Sequence, residues 1–214
     1  MSAVPDKIWF YRIIHRDNLE FALRNGLYAG TEPDRDPRYI FIGHSGLTEE
    51  RLVYDIPLPG DHGQLGEYVP FYLGPRSVML YNIHTGYRGV TKRDQREIIY
   101  LVYSLDDLLA QGAEILLTDG HAKSGQTTYL RPQDNLSVID WETTRATDWK
   151  NSPSDWDRQR RKQAEGLVRR HVPTSCLKGI GTKDVKTAEI CKQKVLNVIL
   201  PHEIMVKPFP QGYY

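Results

Sequence analysis

The sequence predicts an α+β fold. Three features lead there: aromatic and β-branched runs suited to buried strands, short amphipathic stretches bounded by capping residues, and an element order without strict strand–helix alternation. Of 214 residues, 40% are hydrophobic and 26% charged, which suits a chain that buries a core. No Gly-, Ser- or Pro-rich linker separates two apolar blocks, so one domain spanning 1–214 is expected.

Residues 8–14, IWFYRII, read as a buried strand. A helix follows, with Asp17 or Asn18 to cap it, Leu19, Ala22 and Leu23 at helical spacing, and Gly26 where a C-cap belongs. Residues 30–46 look like loop, and Gly43-His44-Ser45-Gly46 reads as a turn. Beyond Arg51 and the turn PGDHGQLGE, the block YVPFYLGPRSVMLYNIHTG reads as short or edge strands, because Pro70 and Pro75 interrupt it. REIIYLVYSL is a strand, LDDLLAQGA a short helix ended by Gly112, and EILLTDG another strand. Residues 120–157 form a long excursion, with a helix predicted from Leu136 to Trp149. AEGLVRRHV fits helix or strand; KDVKTAEICKQKVL is an amphipathic helix; HEIMVKPF is a last strand.

The net charge of +1 hides an asymmetry. Between Arg158 and Lys194, eleven Lys or Arg face three acids, so this segment carries +8 and the remainder −7. Such a block is the expected footprint of a polyanion, although any single basic run is more often a solvated face. Cys176 and Cys191 are expected as two thiols rather than a disulfide. No apolar run reaches membrane-spanning length and the N-terminal MSAVPDKIWFYR lacks signal-peptide order, so a cytoplasmic protein with no membrane partner is expected. Rossmann, P-loop, zinc and nucleophile-elbow motifs are absent, and no metal site is predicted.

Three blocks carry a resemblance: FYRIIHRDNLEFALRNGLYAG (10–30); Arg51 followed by IPLPGDHGQLGEYVPFYLGPRSVMLY; and QAEGLV (163–168), after LLTDGHAKS and DW. Together they resemble the DarT family of DNA ADP-ribosyltransferase toxins. The resemblance implies the ADP-ribosyltransferase fold, two small, mostly antiparallel sheets around an NAD cleft with helices outside. It implies a toxin that transfers ADP-ribose from NAD, as co-substrate, to a base of single-stranded DNA, releasing nicotinamide. Thymine is the expected base, and a DarG-like macrodomain antitoxin the expected partner.

The same resemblance implies site residues. Arg51 and Glu165 match the family's essential arginine and catalytic glutamate. The first-strand residues Arg12, Ile13 and Ile14 would grip the nicotinamide carboxamide through their backbone, although many relatives carry His-Ile-Thr there. Asn18, Phe21, Ala29 and Arg51 would line the rest of the NAD pocket. His121, Lys123, Tyr129 and Arg131, in the segment leading to Glu165, are the candidate DNA contacts.

The chemistry agrees with these residue types. Nicotinamide leaves C1′ of a ribose through an oxocarbenium-like transition state, which a neighbouring carboxylate stabilises. Arg161, Lys162 and Arg169 are expected to help keep Glu165 ionised. Arg51 stays protonated and so serves by electrostatics rather than as a general base. Taken singly, Glu165 and Arg51 would be ordinary surface charges, and Tyr68, Phe71, Tyr72 and Tyr81 ordinary core aromatics. Competing readings are the same fold acting on guanine, RNA or protein, and a non-catalytic module binding single-stranded nucleic acid.

Overall fold

The computed structural model describes residues 2–214. Ten strands account for the β structure of this part: β1 (Trp9–His15), β2 (Leu27–Tyr28), β3 (Tyr68–Tyr72), β4 (Ile98–Ser104), β5 (Ile115–Thr118), β6 (Tyr129–Leu130), β7 (Glu165–Arg169), β8 (His171–Val172), β9 (Gly179–Thr182) and β10 (Met205–Pro208). Between them lie the helices α1 (Leu19–Asn25), α2 (Ser45–Leu52), α3 (Val78–Thr85), α4 (Leu105–Ala110), α5 (Trp141–Arg145), α6 (Arg158–Lys162) and α7 (Val185–Leu196).

Eight strands run in the order β10-β9-β4-β1-β3-β7-β5-β6, and β2 pairs with β8 as a small second sheet. Among the described residues only the β9–β10 pair is parallel. The eight strands divide into two halves. β1 pairs with β4 over seven register positions but with β3 at Tyr11↔Tyr72 alone. The β3-facing backbone edge of Arg12–His15 therefore has no ladder partner, and the two halves open there like a split seam. Phe10 and Ile14 pack into the largest core cluster and Ile13 into a second, so alternate β1 side chains serve opposite faces.

The split explains an unusual proline. Pro70 pairs with Leu167 of β7 on one side and faces the gap on the other, where no N–H is required. Its carbonyl accepts instead from Arg12 Nη1 at 3.0 Å. The edge expected from Pro70 thus exists, but it lies inside the sheet.

Two expected elements differ. PRSVMLYNIHTG holds a helix rather than strands. Ser77 caps α3 by accepting from the Leu80 amide at 3.2 Å, Val78, Leu80 and Ile83 are buried, and Gly86 closes it with φ of 77°. The predicted helix from Leu136 to Trp149 is broken into a 3-10 turn at Leu136–Val138 and the one-turn α5. Asp140 starts α5 afresh by capping the Thr143 amide, and Lys162 takes the Thr144 and Ala146 carbonyls at its end. The Gly43–Gly46 stretch, expected as a turn, is helical from Ser45 onward, because His44 caps α2 there by accepting from the Leu47 amide on Nδ1. AEGLVRRHV resolves as strand. Cys176 and Cys191 are both buried free thiols.

Candidate active site

Glu165 opens β7 opposite Tyr72 of β3, beside the single pair that joins the two half-sheets. Its backbone amide donates to Thr118 Oγ1 at 2.9 Å. The next residue must be glycine, because a Cβ on Gly166 would collide with the Phe10 ring. That close approach of β7 to β1's core face fixes where the glutamate starts.

Arg51 arrives from the last turn of α2. Its Nη1 donates to Glu165 Oε1 at 3.1 Å and its Nη2 to Oε2 at 2.8 Å, a two-pronged pair. Gly66 makes this approach feasible, since a Cβ there would overlap the Leu52 backbone and push the end of α2 away. Glu165 Oε1 also accepts from the Ala122 amide at 2.9 Å. The carboxylate is 4% exposed, so it is bound by charge and hydrogen bonds rather than by water.

Burial raises the pKa of the Glu165 carboxyl. The Arg51 charge, helped by His121 when protonated and by the Arg51 and Ala122 hydrogen bonds, outweighs burial and holds the carboxyl below the usual range. For Arg51, burial favours the neutral form, and the Glu165 carboxylate reverses this and raises its pKa. Burial pushes His121 down, so it is neutral near pH 7 and the electrostatic task falls to Arg51. Burial and the Glu165 charge push the Tyr72 phenol up to about 12, which keeps it a hydrogen-bond donor.

The basic neighbours expected to hold Glu165 ionised do other work. Arg161 pairs with Asp140 and Asp155, Arg169 with Glu67 and Glu114, and the Lys162 ammonium lies on three carbonyls. The whole +8 block is largely neutralised in the same way. Arg158, Arg160, Lys178, Lys192 and Lys194 have carboxylate partners and Lys183 bonds the Tyr214 carbonyl. Arg170 and Lys186 are left without an ion-pair partner among the described residues. Sequence proximity misled here because these side chains point to other acids or to backbone carbonyls rather than to Glu165.

The remaining candidates fall into groups. Arg12, Ile13 and Ile14 line the split seam, where the β3-facing edge of β1 has no ladder partner. Asn18 spends both ends of its amide on the Ile40 backbone, 2.9 Å each way, pinning the 30–43 loop over α1. Phe21 meets Tyr28 edge-on, and Ala29 is buried with its amide on the Arg170 carbonyl. His121 stands beside the Arg51–Glu165 pair, and Lys123 forms an ion pair with Glu50 of α2. Tyr129 is 5% exposed and donates to the Ala122 carbonyl at 2.7 Å, so it supports the residue that holds Glu165 and offers no face for base stacking. Arg131 leans on the Pro59 carbonyl at 3.3 Å and lies near His62 Nε2.

Sequence reasoning passed over Thr118, Ala122 and Gly66, which act through a hydroxyl, a backbone amide and a missing side chain. Tyr72 was visible in YVPFY but only as a core aromatic. Its pairing opposite Glu165 becomes legible once β3 and β7 are neighbours.

A family described as ssDNA thymidine ADP-ribosyltransferase, DarT, matches residues 11–214. A DNA ADP-ribosyl transferase of Escherichia coli O127:H6 is 39% identical over 179 residues, covering 84% of this chain and 82% of the relative. The DarT of Thermus sp. 2.9, solved in complex with NAD+, superposes with a TM-score of 0.83 at 25% identity, covering 99% of this chain and 100% of that one. Its complex with ADP-ribosylated ssDNA gives 0.85 at 27% identity, covering 100% and 99%. A DNA ADP-ribosyl transferase–DNA ADP-ribosyl glycohydrolase fusion protein of Thermosipho africanus is 25% identical over 199 residues, which is 89% of this chain and 46% of that protein. With the match running along nearly the whole sequence and the fold agreeing throughout, this chain belongs to the DarT family of single-stranded-DNA ADP-ribosyltransferases.

Proposed function

We propose that Glu165, held as a carboxylate by Arg51, is the group that promotes ADP-ribose transfer from NAD to a thymine of single-stranded DNA. The buried two-pronged pair beside the split between β1 and β3 is the observation that carries this reading. NAD supplies an ADP-ribosyl group bonded to nicotinamide at C1′. As that bond lengthens, positive charge grows on the ribose, and the Glu165 carboxylate stabilises it.

Arg51 has five N–H donors and spends two on Glu165. The others are available to the thymine oxygens, whose negative charge grows as N3 loses its proton; Glu165 or water takes that proton. The open edge of Arg12, Ile13 and Ile14 grips the carboxamide, with Phe21 and Ala29 beside it and Asn18 holding the loop above. His121 and Lys123 mark the acceptor side, with Arg131 further along the same segment and Tyr129 beneath it. An unpaired strand is required because N3 is hidden in a duplex.

Strands from both ends of the chain share one sheet, which supports a single domain over 1–214. Among the described residues no helix is long and apolar enough to cross a membrane, and the reading places the enzyme in the cytoplasm with NAD and DNA. The Thermosipho fusion supports a DarG-like glycohydrolase as the antitoxin partner. Mass spectrometry of a short oligonucleotide after incubation with enzyme and NAD tests the reading. An ADP-ribose adduct on thymine is expected. An adduct only on guanine, RNA or protein would overturn the acceptor assignment.

A further inference from the structure

We propose that Lys162 is a positioning residue whose ammonium clasps the segment ahead of Glu165 to the turn after β3, setting the acceptor-side wall of the cleft. This rests on Glu165 being the catalytic carboxylate. Lys162 ends α6, three residues before Glu165, and is only 2% exposed. Its Nζ donates to the carbonyls of Pro75 at 2.8 Å, Thr144 at 2.8 Å and Ala146 at 2.9 Å. Three acceptors require three N–H donors, and only the ammonium form has them.

The clasp joins three pieces of chain. The Pro75 turn follows directly from β3, where the Leu73 amide donates to the Ala164 carbonyl at 3.1 Å. Gly74 of that turn sits so close to α5 that a Cβ would collide with the Thr144 carbonyl oxygen. Thr144 and Ala146 end α5, within the excursion that leads to Glu165. The turn, the end of α5 and the start of β7 are thus one tied unit with a single cation at its centre. The NAD-side candidates on β1 and α1 lie outside it.

The clasp lacks the usual counter-ion. The charged groups facing Lys162 are Arg76, from the turn after β3, and Arg158, from the start of α6; α5 presents its terminal carbonyls. Burial first, then these two guanidiniums, pull the ammonium down to about 7. Loss of its proton removes one of the three donors, so the clasp loosens as pH rises through neutrality.

Steady-state kinetics with a thymine-containing oligonucleotide and NAD test this. Lys162→Met is expected to raise the oligonucleotide KM about tenfold or more while the NAD KM stays within about twofold, because only acceptor-side binding is lost. If Lys162→Met does not fold, the unmodified enzyme decides. Its oligonucleotide KM should rise between pH 6 and 8 with a flat NAD KM; His121, whose pKa burial lowers, is moved away from the Lys162 range. Equal effects on both KM values, or an oligonucleotide KM indifferent to the substitution, overturn the clasp; so does a flat pH profile in the unmodified enzyme. Glu165→Gln run alongside separates the two claims. Continued transfer by Glu165→Gln would refute the catalytic reading, whereas an inactive Glu165→Gln beside an unaffected Lys162→Met would refute the clasp alone.

Discussion

Arg51 and Glu165 stand 114 positions apart in sequence, yet both carboxylate oxygens of the glutamate are held by the two terminal nitrogens of the one guanidinium. One partner ends a helix and the other begins a strand. Two glycines, Gly66 beneath α2 and Gly166 against Phe10, let those elements come close enough for the pair to form.

Arg51→Ala should be strongly destabilising, because it leaves a buried carboxylate uncompensated, a loss of roughly 3–5 kcal/mol. Adding Glu165→Gln to Arg51→Ala should recover much of that loss. Chemical denaturation of the two single variants and the double variant measures the coupling. Additive losses would mean the pair is not an energetic unit.

Acid stability follows from the same pair. The folded pKa of Glu165 is depressed, so its stabilisation is complete above the ordinary glutamate range and is lost as pH falls through the folded value. The melting temperature should therefore fall less steeply below pH 5 in Glu165→Gln than in the unmodified chain. Parallel curves would place the ionisation that drives acid unfolding elsewhere.

Tyr129 separates a supporting role from a stacking role. Removing its hydroxyl leaves the Ala122 carbonyl unsatisfied, at a cost of about 1–3 kcal/mol, and loosens the amide that holds Glu165. Tyr129→Phe is expected to lower kcat and the melting temperature with the oligonucleotide KM unchanged. A raised KM with an unchanged melting temperature would mean that the ring contacts DNA.

Much of the fold was legible because periodicity and capping are local. The strand at 8–14, the helix closed by Gly26 and the strand before Gly112's helix all follow from short-range pattern. The helix α3 was obscured by Pro75 and by apolar residues on several sides. The short length of α5 was obscured because Asp140 restarts it as a cap and the group that takes its terminal carbonyls, Lys162, lies further along the chain. Within the site, the family resemblance located Arg51 and Glu165, whereas Ala122 contributes only a backbone amide that any residue except proline provides.

The basic block shows most clearly what sequence leaves open. Its charge of +8 is a fact of composition, but Arg169 is occupied by Glu67 and Glu114. Arg169→Gln should thus lower the melting temperature while leaving the salt dependence of oligonucleotide binding unchanged. For single strands each lost phosphate contact flattens the log–log slope by about 0.7. A change of that size would return Arg169 to the DNA footprint.

The most direct measurement compares the unmodified enzyme and Glu165→Gln by mass spectrometry, each incubated with NAD and a thymine-containing oligonucleotide after circular dichroism has confirmed folding. The unmodified enzyme should add ADP-ribose to the thymine and release nicotinamide, and Glu165→Gln should slow transfer by about a hundredfold or more, as expected for losing charge stabilisation in the transition state. A folded Glu165→Gln that modifies the oligonucleotide at the unmodified rate would contradict the account.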